Sequence, residues 1–236
     1  MMKFSGGTAS YDRGEILRMA EKYRSQGRIR KSIREYEKIL SIDRRDIDVH
    51  MKIAPLYIRV GRKDQAKDSL RHIISWYEKQ GFAEKAIATL RLALTVDRRN
   101  LAMYLHLAEV YQSKDHAGDA RKVLDAARKV FRGKMHLKEA LAVEERILTL
   151  VPDDFPTQVS LVRLQWKTGK RRETLDRLRR MEEQWARKGN KQNWRKTRWL
   201  LCRHDPSFST GWGCFLSFFT APIPYRPAKK GNTQHP

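Results

Sequence analysis

Residues 77–81 read Tyr77-Glu78-Lys79-Gln80-Gly81, and the same shape recurs as Tyr23-Arg24-Ser25-Gln26-Gly27 and as Trp185-Ala186-Arg187-Lys188-Gly189. The glycines at 27, 81 and 189 stand 54 and 108 residues apart, one and two steps of a single period. The missing step falls on Met135, yet the aromatic four residues upstream is in place as Phe131. Sixteen residues downstream of each step stand Asp43, Asp97, Val151 and Asp205, followed by Arg44-Arg45, Arg98-Arg99, Pro152-Asp153 and Pro206-Ser207. A second series, Gly61, Asp115 and Gly169, keeps the same spacing. Several markers in one register make a 54-residue repeat the organising feature of the chain.

Within each unit the apolar residues return every three or four positions, the periodicity of an amphipathic helix. Residues 47–60 place Ile53, Ala54, Tyr57 and Val60 on one face before Gly61, and residues 83–96 place Ala86, Ile87, Leu90, Ala93 and Leu94 on one face before Asp97-Arg98-Arg99-Asn100. Glycine suits the left-handed residue that closes a helix, and proline at 152 or 206 cannot continue one. The spacing predicts three helices per unit, at 47–60, 64–80 and 83–96, then 101–114, 118–132 and 137–150, then 155–168, 172–188 and 191–203. A leading pair at 13–26 and 29–42 makes eleven. No alternating β-branched run supports a strand.

These residues resemble the tetratricopeptide repeat (TPR), a helix–turn–helix unit of 34 residues. Met19, Ala20, Tyr23, Gly27, Ser32, Ile33, Tyr36, Leu40 and Asp43 fall in the large, small, aromatic, turn and terminal positions of that pattern. So do Phe131, Ala140, Leu148 and Pro152 within 121–154, and Trp185, Gly189, Asp205 and Pro206 within 175–208. Ala20, Ala54, Ala66, Ala86, Ala108, Ala120 and Ala140 take small-residue positions where helices cross closely, and Tyr57, Tyr77, Tyr111 and Gly169 complete the aromatic and turn sets. A larger side chain at such a crossing overpacks it by roughly 1–3 kcal/mol. The period departs from 34 because helices 64–80, 118–132 and 172–188 match both as second helix of one repeat and as first helix of the next. Trp194 stands in the last small-residue position, so a splayed or repacked final crossing is expected. The resemblance implies an all-α, right-handed α-solenoid of TPR-like hairpins over 13–206, between an N-terminal tail at 1–12 and an apolar, proline-containing tail at 207–236. It also implies a non-enzymatic interaction scaffold or adaptor.

The chemistry of the chain points the same way. There is no Gly-rich phosphate loop, since Gly169-Lys170-Arg171-Arg172 lacks the earlier glycine, and no His-Glu-x-x-His motif. Cys202-Arg203-His204 with Cys214 offers three metal ligands without a fourth nearby, so incidental reduced thiols are expected and no metal. The seven histidines are dispersed, and Glu144-Glu145 and Glu182-Glu183 point about 100° apart around their helices. No catalytic residue and no cofactor is expected. The matching slots of the TPR clamp that holds a C-terminal carboxylate contain Leu17 and Glu21, Met51 and Pro55, Leu105 and Glu109, and Val159 and Arg163, so that clamp is absent.

The 236 residues carry 50 Lys+Arg against 27 Asp+Glu, a formal charge of +23. Residues 155–236 hold 18 of those cations and 5 acids, a balance of +13. An excess of this size exceeds what solubility requires and suggests an anionic partner. The contact set expected from that density is Arg163, Trp166, Lys167, Arg171, Arg172, Arg179, Arg180 and Arg187, taking an acidic peptide or helix of a protein. Trp185, in the aromatic slot, is expected in the core. RNA is the alternative partner, because aromatics among cations also stack on bases. The tail from Ser207 through Trp212, Phe215 and Phe219 is too short to cross a bilayer as a helix. It is expected to cap the last helix pair or to touch a membrane surface. With no apolar leader in Met1-Met2-Lys3-Phe4 and two cysteines, a cytoplasmic location is expected; the oligomeric state is open.

Overall fold

The repeating glycines are where the chain reverses. In the computed structural model, which describes residues 12–205, Gly61 has φ +77, and the glycines at 27, 81, 169 and 189 share that left-handed conformation. Asp115, the non-glycine of the second series, takes the same conformation at φ +58. At Gly61 the N–H bonds to Ile58 O and the next residue, Arg62, bonds back to Tyr57 O at 2.9 Å, so the helix end keeps partners for its last carbonyls. Such a turn needs only a few residues, and successive helices fold back on each other as hairpins.

Eleven α-helices form among the described residues, with no strand. They are α1 (Arg13–Ser25), α2 (Ile29–Ile42), α3 (Ile47–Arg59), α4 (Lys63–Lys79), α5 (Ala83–Val96), α6 (Leu101–Ser113), α7 (Ala117–Val130), α8 (Leu137–Leu150), α9 (Phe155–Lys167), α10 (Arg171–Arg187) and α11 (Lys191–His204). Each lies within two residues of the sequence expectation at either end. The α2–α3, α5–α6 and α10–α11 connections end on Asp46, Asn100 and Asn190, whose side chains accept from Val49, Met103 and Asn193 N–H at 3.1, 3.3 and 3.0 Å. These caps satisfy donors that a helix start otherwise leaves unpaired.

The chain divides into two compact units, Met1–Val130 and Phe131–Pro236. In the first, each helix from α1 to α7 packs on its neighbours in sequence, and α4 packs closely on both α3 and α5. That contact pattern is the signature of a helical-hairpin solenoid, as the spacing predicts. The division falls where the glycine register fails: Met135 is 89% exposed, Gly133 has φ +136, and a 3-10 turn at Lys134–His136 replaces the tight turn.

Small residues sit where helices approach. Ala20, Ala54, Ala66, Ala86, Ala108 and Ala120 are all buried; Ala140 is half-buried. The aromatic positions divide similarly. Tyr57, Tyr111, Phe131 and Trp185 are buried, whereas Tyr23 and Tyr77 are half-buried with Lys31 and Lys85 ammonium groups 5.7 Å from their ring centres. Pro152 occupies the exposed α8–α9 junction, ahead of Pro156 in the first turn of α9. Pro206 and the tail, with its capping and membrane alternatives, lie outside the described residues.

Candidate partner-binding groove

Of the four α-helices described in the second unit, α9, α10 and α11 build the candidate surface. α10 lies in the middle, packed on both α9 and α11, and buries Thr174, Leu178, Met181 and Trp185 along one face. Trp185 joins a cluster with Val162, Leu178, Met181, Ala186, Trp194, Leu200 and Leu201, and its indole N–H donates to Gln158 Oε1 at 3.1 Å. Trp194 is 4% exposed within the same cluster, with the Arg198 guanidinium 5.5 Å from its ring centre. The final crossing is therefore repacked around a large side chain, and α10 and α11 remain in close contact.

α9 and α11 border a groove of about 430 Å³ at the edge of this core, floored by Leu200 of the cluster and by Phe155 and Val159, which pack against it, and completed by Pro156 and Arg163 from α9 and by Lys196 and Trp199 from α11. A second, adjoining depression of about 440 Å³ is lined by Lys191, Gln192, Arg195, Lys196 and Trp199. The two share Lys196 and Trp199. Helical spacing puts the α11 residues together, since 192, 195, 196 and 199 are three or four apart. Trp199 is 50% exposed, and the Arg203 guanidinium stands 5.3 Å from its ring centre. Arg163, Lys191, Arg195 and Lys196 form no ion pair among the described residues, although the unit has acids to offer: Arg198 takes Glu182 at 2.7 Å, and Lys188 takes Asp153. The groove thus combines an apolar floor with cations whose charge is not cancelled.

The residues expected to form the contact set are distributed over three places. Arg163 lines the groove. Trp166 is held between the Arg171 guanidinium, 5.3 Å from its ring centre, and the His204 ring at 4.2 Å. Burial first, and then the charge of Arg203, lowers the pKa of that His204 imidazole. Arg172, Arg179, Arg180 and Arg187 are exposed along α10, which lends the groove no side chain, and Lys167 is exposed at the end of α9. Arg179 pairs with Asp205 at 3.2 Å and with Asp176 at 3.8 Å, and Arg187 pairs with Glu183 at 3.4 Å. Arg177 turns inward to Gln165 Oε1 at 3.0 Å, where burial and then Arg180 lower its pKa.

Lys196, Trp199, Phe155 and Val159 were not in the expected set. The signal for the first two is present in the sequence as the Lys196–Trp199 spacing on one helical stripe; pairing them with α9 takes the fold. Cys202 corrects a further expectation, because it is disulfide-bonded rather than a reduced thiol. The other cysteine of the sequence, Cys214, lies outside the described residues. Among the described residues no helix is long and apolar enough to cross a membrane.

No protein-family model matches the chain, and no curated protein matches it. Among solved structures, a MamA protein is 18% identical over 74% of this chain and 92% of its own, with a TM-score of 0.25. A tetratricopeptide repeat protein from Parabacteroides merdae is 10% identical over 81% of this chain and 92% of its own, at 0.27. YrrB, a TPR protein with an unusual peptide-binding site, is 12% identical over 63% of this chain and 91% of its own, at 0.27. Similarity at this level says nothing of what this chain binds.

Proposed function

We propose that the chain is a non-enzymatic protein-interaction scaffold whose second unit holds an acidic partner segment in the groove between α9 and α11. The observation that carries this reading is the juxtaposition of an apolar floor at Phe155, Val159, Trp199 and Leu200 with Arg163 and Lys196, which form no ion pair among the described residues. The apolar floor supplies affinity by burying area. The cations select acids flanking the buried side chain and raise the rate of encounter. A half-exposed tryptophan at the centre of the lining is the residue type that dominates such interfaces. The row of arginines on α10 contributes less, because Arg179 and Arg187 already spend their charge on Asp205 and Glu183.

The test is fluorescence anisotropy with a labelled peptide carrying one leucine and one phenylalanine between glutamates. Trp199→Ala weakens binding about 30-fold, the size of a hot-spot loss of ~2 kcal/mol. The double reversal Arg163→Glu, Lys196→Glu weakens it about tenfold or more, whereas Arg172→Glu, Arg180→Glu leaves it within about twofold. Equal loss from both reversals would refute the groove as the site. If a single-stranded RNA of mixed sequence bound more tightly than the peptide and lost roughly 10³-fold between 50 and 200 mM salt, the partner would be nucleic acid instead.

A further inference from the structure

The first unit carries a separate cluster of uncancelled positive charge, independent of the groove. The turn between α2 and α3 returns against the last turns of α4, because α3 and α4 form a hairpin closed at Gly61. A depression of about 320 Å³ opens there, lined by Arg45, Ile47, His72, Ser75, Trp76 and Lys79. The four α4 residues form one stripe, at spacings of three and four. The lining is unusual in kind: a guanidinium, an ammonium, a hydroxyl and an imidazole, set against the apolar walls of Ile47 and Trp76.

The acids nearby are already engaged. Asp43 accepts the backbone N–H of Arg45 at 2.9 Å, Asp46 is held by Arg13 at 2.7 Å, and Asp68 is held by Arg71 at 2.8 Å. Arg45 and Lys79 form no ion pair among the described residues. The repeat offers a comparison. Two periods on, the position of Arg45 is Asp153, that of Trp76 is Gln184, and that of Gln80 is Lys188. There Gln184 Nε2 donates to Asp153 at 2.7 Å and Lys188 pairs with the same carboxylate. The second unit fills this corner with its own acid; the first replaces that acid with arginine.

The imidazoles add a second, independent feature. His50 is 6% exposed and stacks on His72 with ring centres 4.4 Å apart and planes 11° from parallel. Its Nε2 lies 2.9 Å from the Arg44 carbonyl oxygen, which assigns the proton to that nitrogen, and its buried Nδ1 has no protein partner. The buried His50 ring thus backs the His72 imidazole that lines the depression.

We propose that this corner binds a phosphate group, inorganic or carried as a phosphomonoester on a partner. Phosphate fits better than carboxylate because its three or four oxygens match the number of donors: the Arg45 fork, the Lys79 ammonium, the Ser75 hydroxyl and the His72 ring. Ile47 and Trp76 shield one side of the ligand from water, which strengthens each charge-assisted contact.

The experiment is a titration of the full chain at constant ionic strength, following the histidine ring protons by NMR. Three probes are used in turn: inorganic phosphate, a phosphoserine peptide, and the same peptide with glutamate in place of phosphoserine. The expected result is saturable movement of the His72 resonance with both phosphate probes while those of His106 and His116 stay fixed, and weak response to the glutamate peptide. A tighter response to the peptide than to inorganic phosphate assigns the phosphate to a partner; equal response assigns it to the free ion. Arg45→Ala and Lys79→Ala each weaken binding at least tenfold, and Arg180→Ala, an exposed cation of the second unit, changes nothing. All three positions are on the surface, and circular dichroism checks that the variants fold. An unmoved His72, equal loss in Arg180→Ala, or equal affinity for the glutamate peptide would overturn the proposal.

Discussion

Trp194 and Trp199 lie on the same helix, five residues apart, and the structure assigns them opposite roles. Trp194 is buried among Val162, Leu178, Met181 and Leu201, with Arg198 over its ring. Trp194→Ala leaves a cavity that rigid helices close only in part, and deletions of this size cost about 3–5 kcal/mol. With a urea slope of ~2 kcal/mol/M for a chain of this class, the midpoint of the affected transition falls by roughly 2 M. Trp199 has half its surface in water already, so truncating it forfeits only part of the ~1.5–3 kcal/mol that full burial provides, about 1 kcal/mol. Its midpoint falls by roughly 0.5 M. The assay is urea unfolding followed by far-UV circular dichroism, with hydrogen exchange assigning the loss to residues 155–204. Peptide binding gives the complementary reading: Trp199→Ala loses it while folded. If the two variants shifted the midpoint equally, or if Trp194→Ala moved it by less than that of Trp199→Ala, the division into a core face and a binding face of α11 would be wrong.

Three further predictions concern the first unit. Asp115 occupies the left-handed turn position that Gly61 and Gly169 hold elsewhere, so Asp115→Gly relieves strain and raises stability by about 0.5 kcal/mol after the gain in unfolded-chain freedom is subtracted. Gly61→Ala, with open space around the added methyl but φ +77, lowers it by about 1 kcal/mol; urea midpoints check both, and a loss from Asp115→Gly would contradict the reasoning. Asp46 provides the pH prediction. Burial alone raises its pKa, but hydrogen bonds from Arg13 and from Val49 N–H, with the charge of Arg13, outweigh burial and leave it below the ordinary carboxylate value. A lowered folded pKa means that the stabilisation is complete above about pH 4 and is lost as pH falls through the folded value. Asp46→Asn is therefore less stable than the parent by about 1 kcal/mol at pH 7, discounted because Arg13 is substantially exposed, and the difference shrinks toward pH 2. A difference that stayed constant with pH would sink the assignment.

The fold was legible in the sequence because its markers answer backbone requirements. A glycine at 61 or 169 is needed where the chain takes a positive φ, and an aspartate at 43 or 97 where its side chain accepts the N–H of Arg45 or Arg99 in the turn after a helix. Such needs recur with the period, so they survive where the side chains around them vary. Trp194 was legible as an anomaly and not as a solution, since the room for its indole comes from Val162 on another helix. The candidate groove was legible only in part. The density of Lys and Arg along the chain marks α10 and α11 alike, but it cannot show that Arg179 bends to Asp205 while Lys196 forms no ion pair among the described residues. Nor can it place Arg163 beside Trp199, because those residues share a wall only after α9 and α11 have both packed on α10.

A register that keeps its backbone while exchanging side chains gives two units of one chain different surfaces. Ile47 and Phe155 stand at the same repeat position, 108 residues apart, each at the start of its helix. Around Phe155 the corner toward α10 is closed by the Asp153, Gln184 and Lys188 contacts, so the free surface is the side facing α11, where Trp199 and Lys196 stand. Around Ile47 the corresponding partners have changed. Arg45 replaces the carboxylate, so the corner toward α4 stays open and positive. On the other side, the position of Trp199 is Arg91, which donates to the Tyr111 hydroxyl, and the position of Lys196 is Ala88, so the tryptophan and the lysine of the groove are both absent there. The second unit thus closes the corner that the first leaves open, and the first lacks the tryptophan and lysine with which the second lines its groove. On this account Arg45→Asp, made together with Trp76→Gln and Gln80→Lys, closes the first corner by recreating the Asp153 contacts, abolishing phosphate binding there and leaving peptide binding at Trp199 untouched.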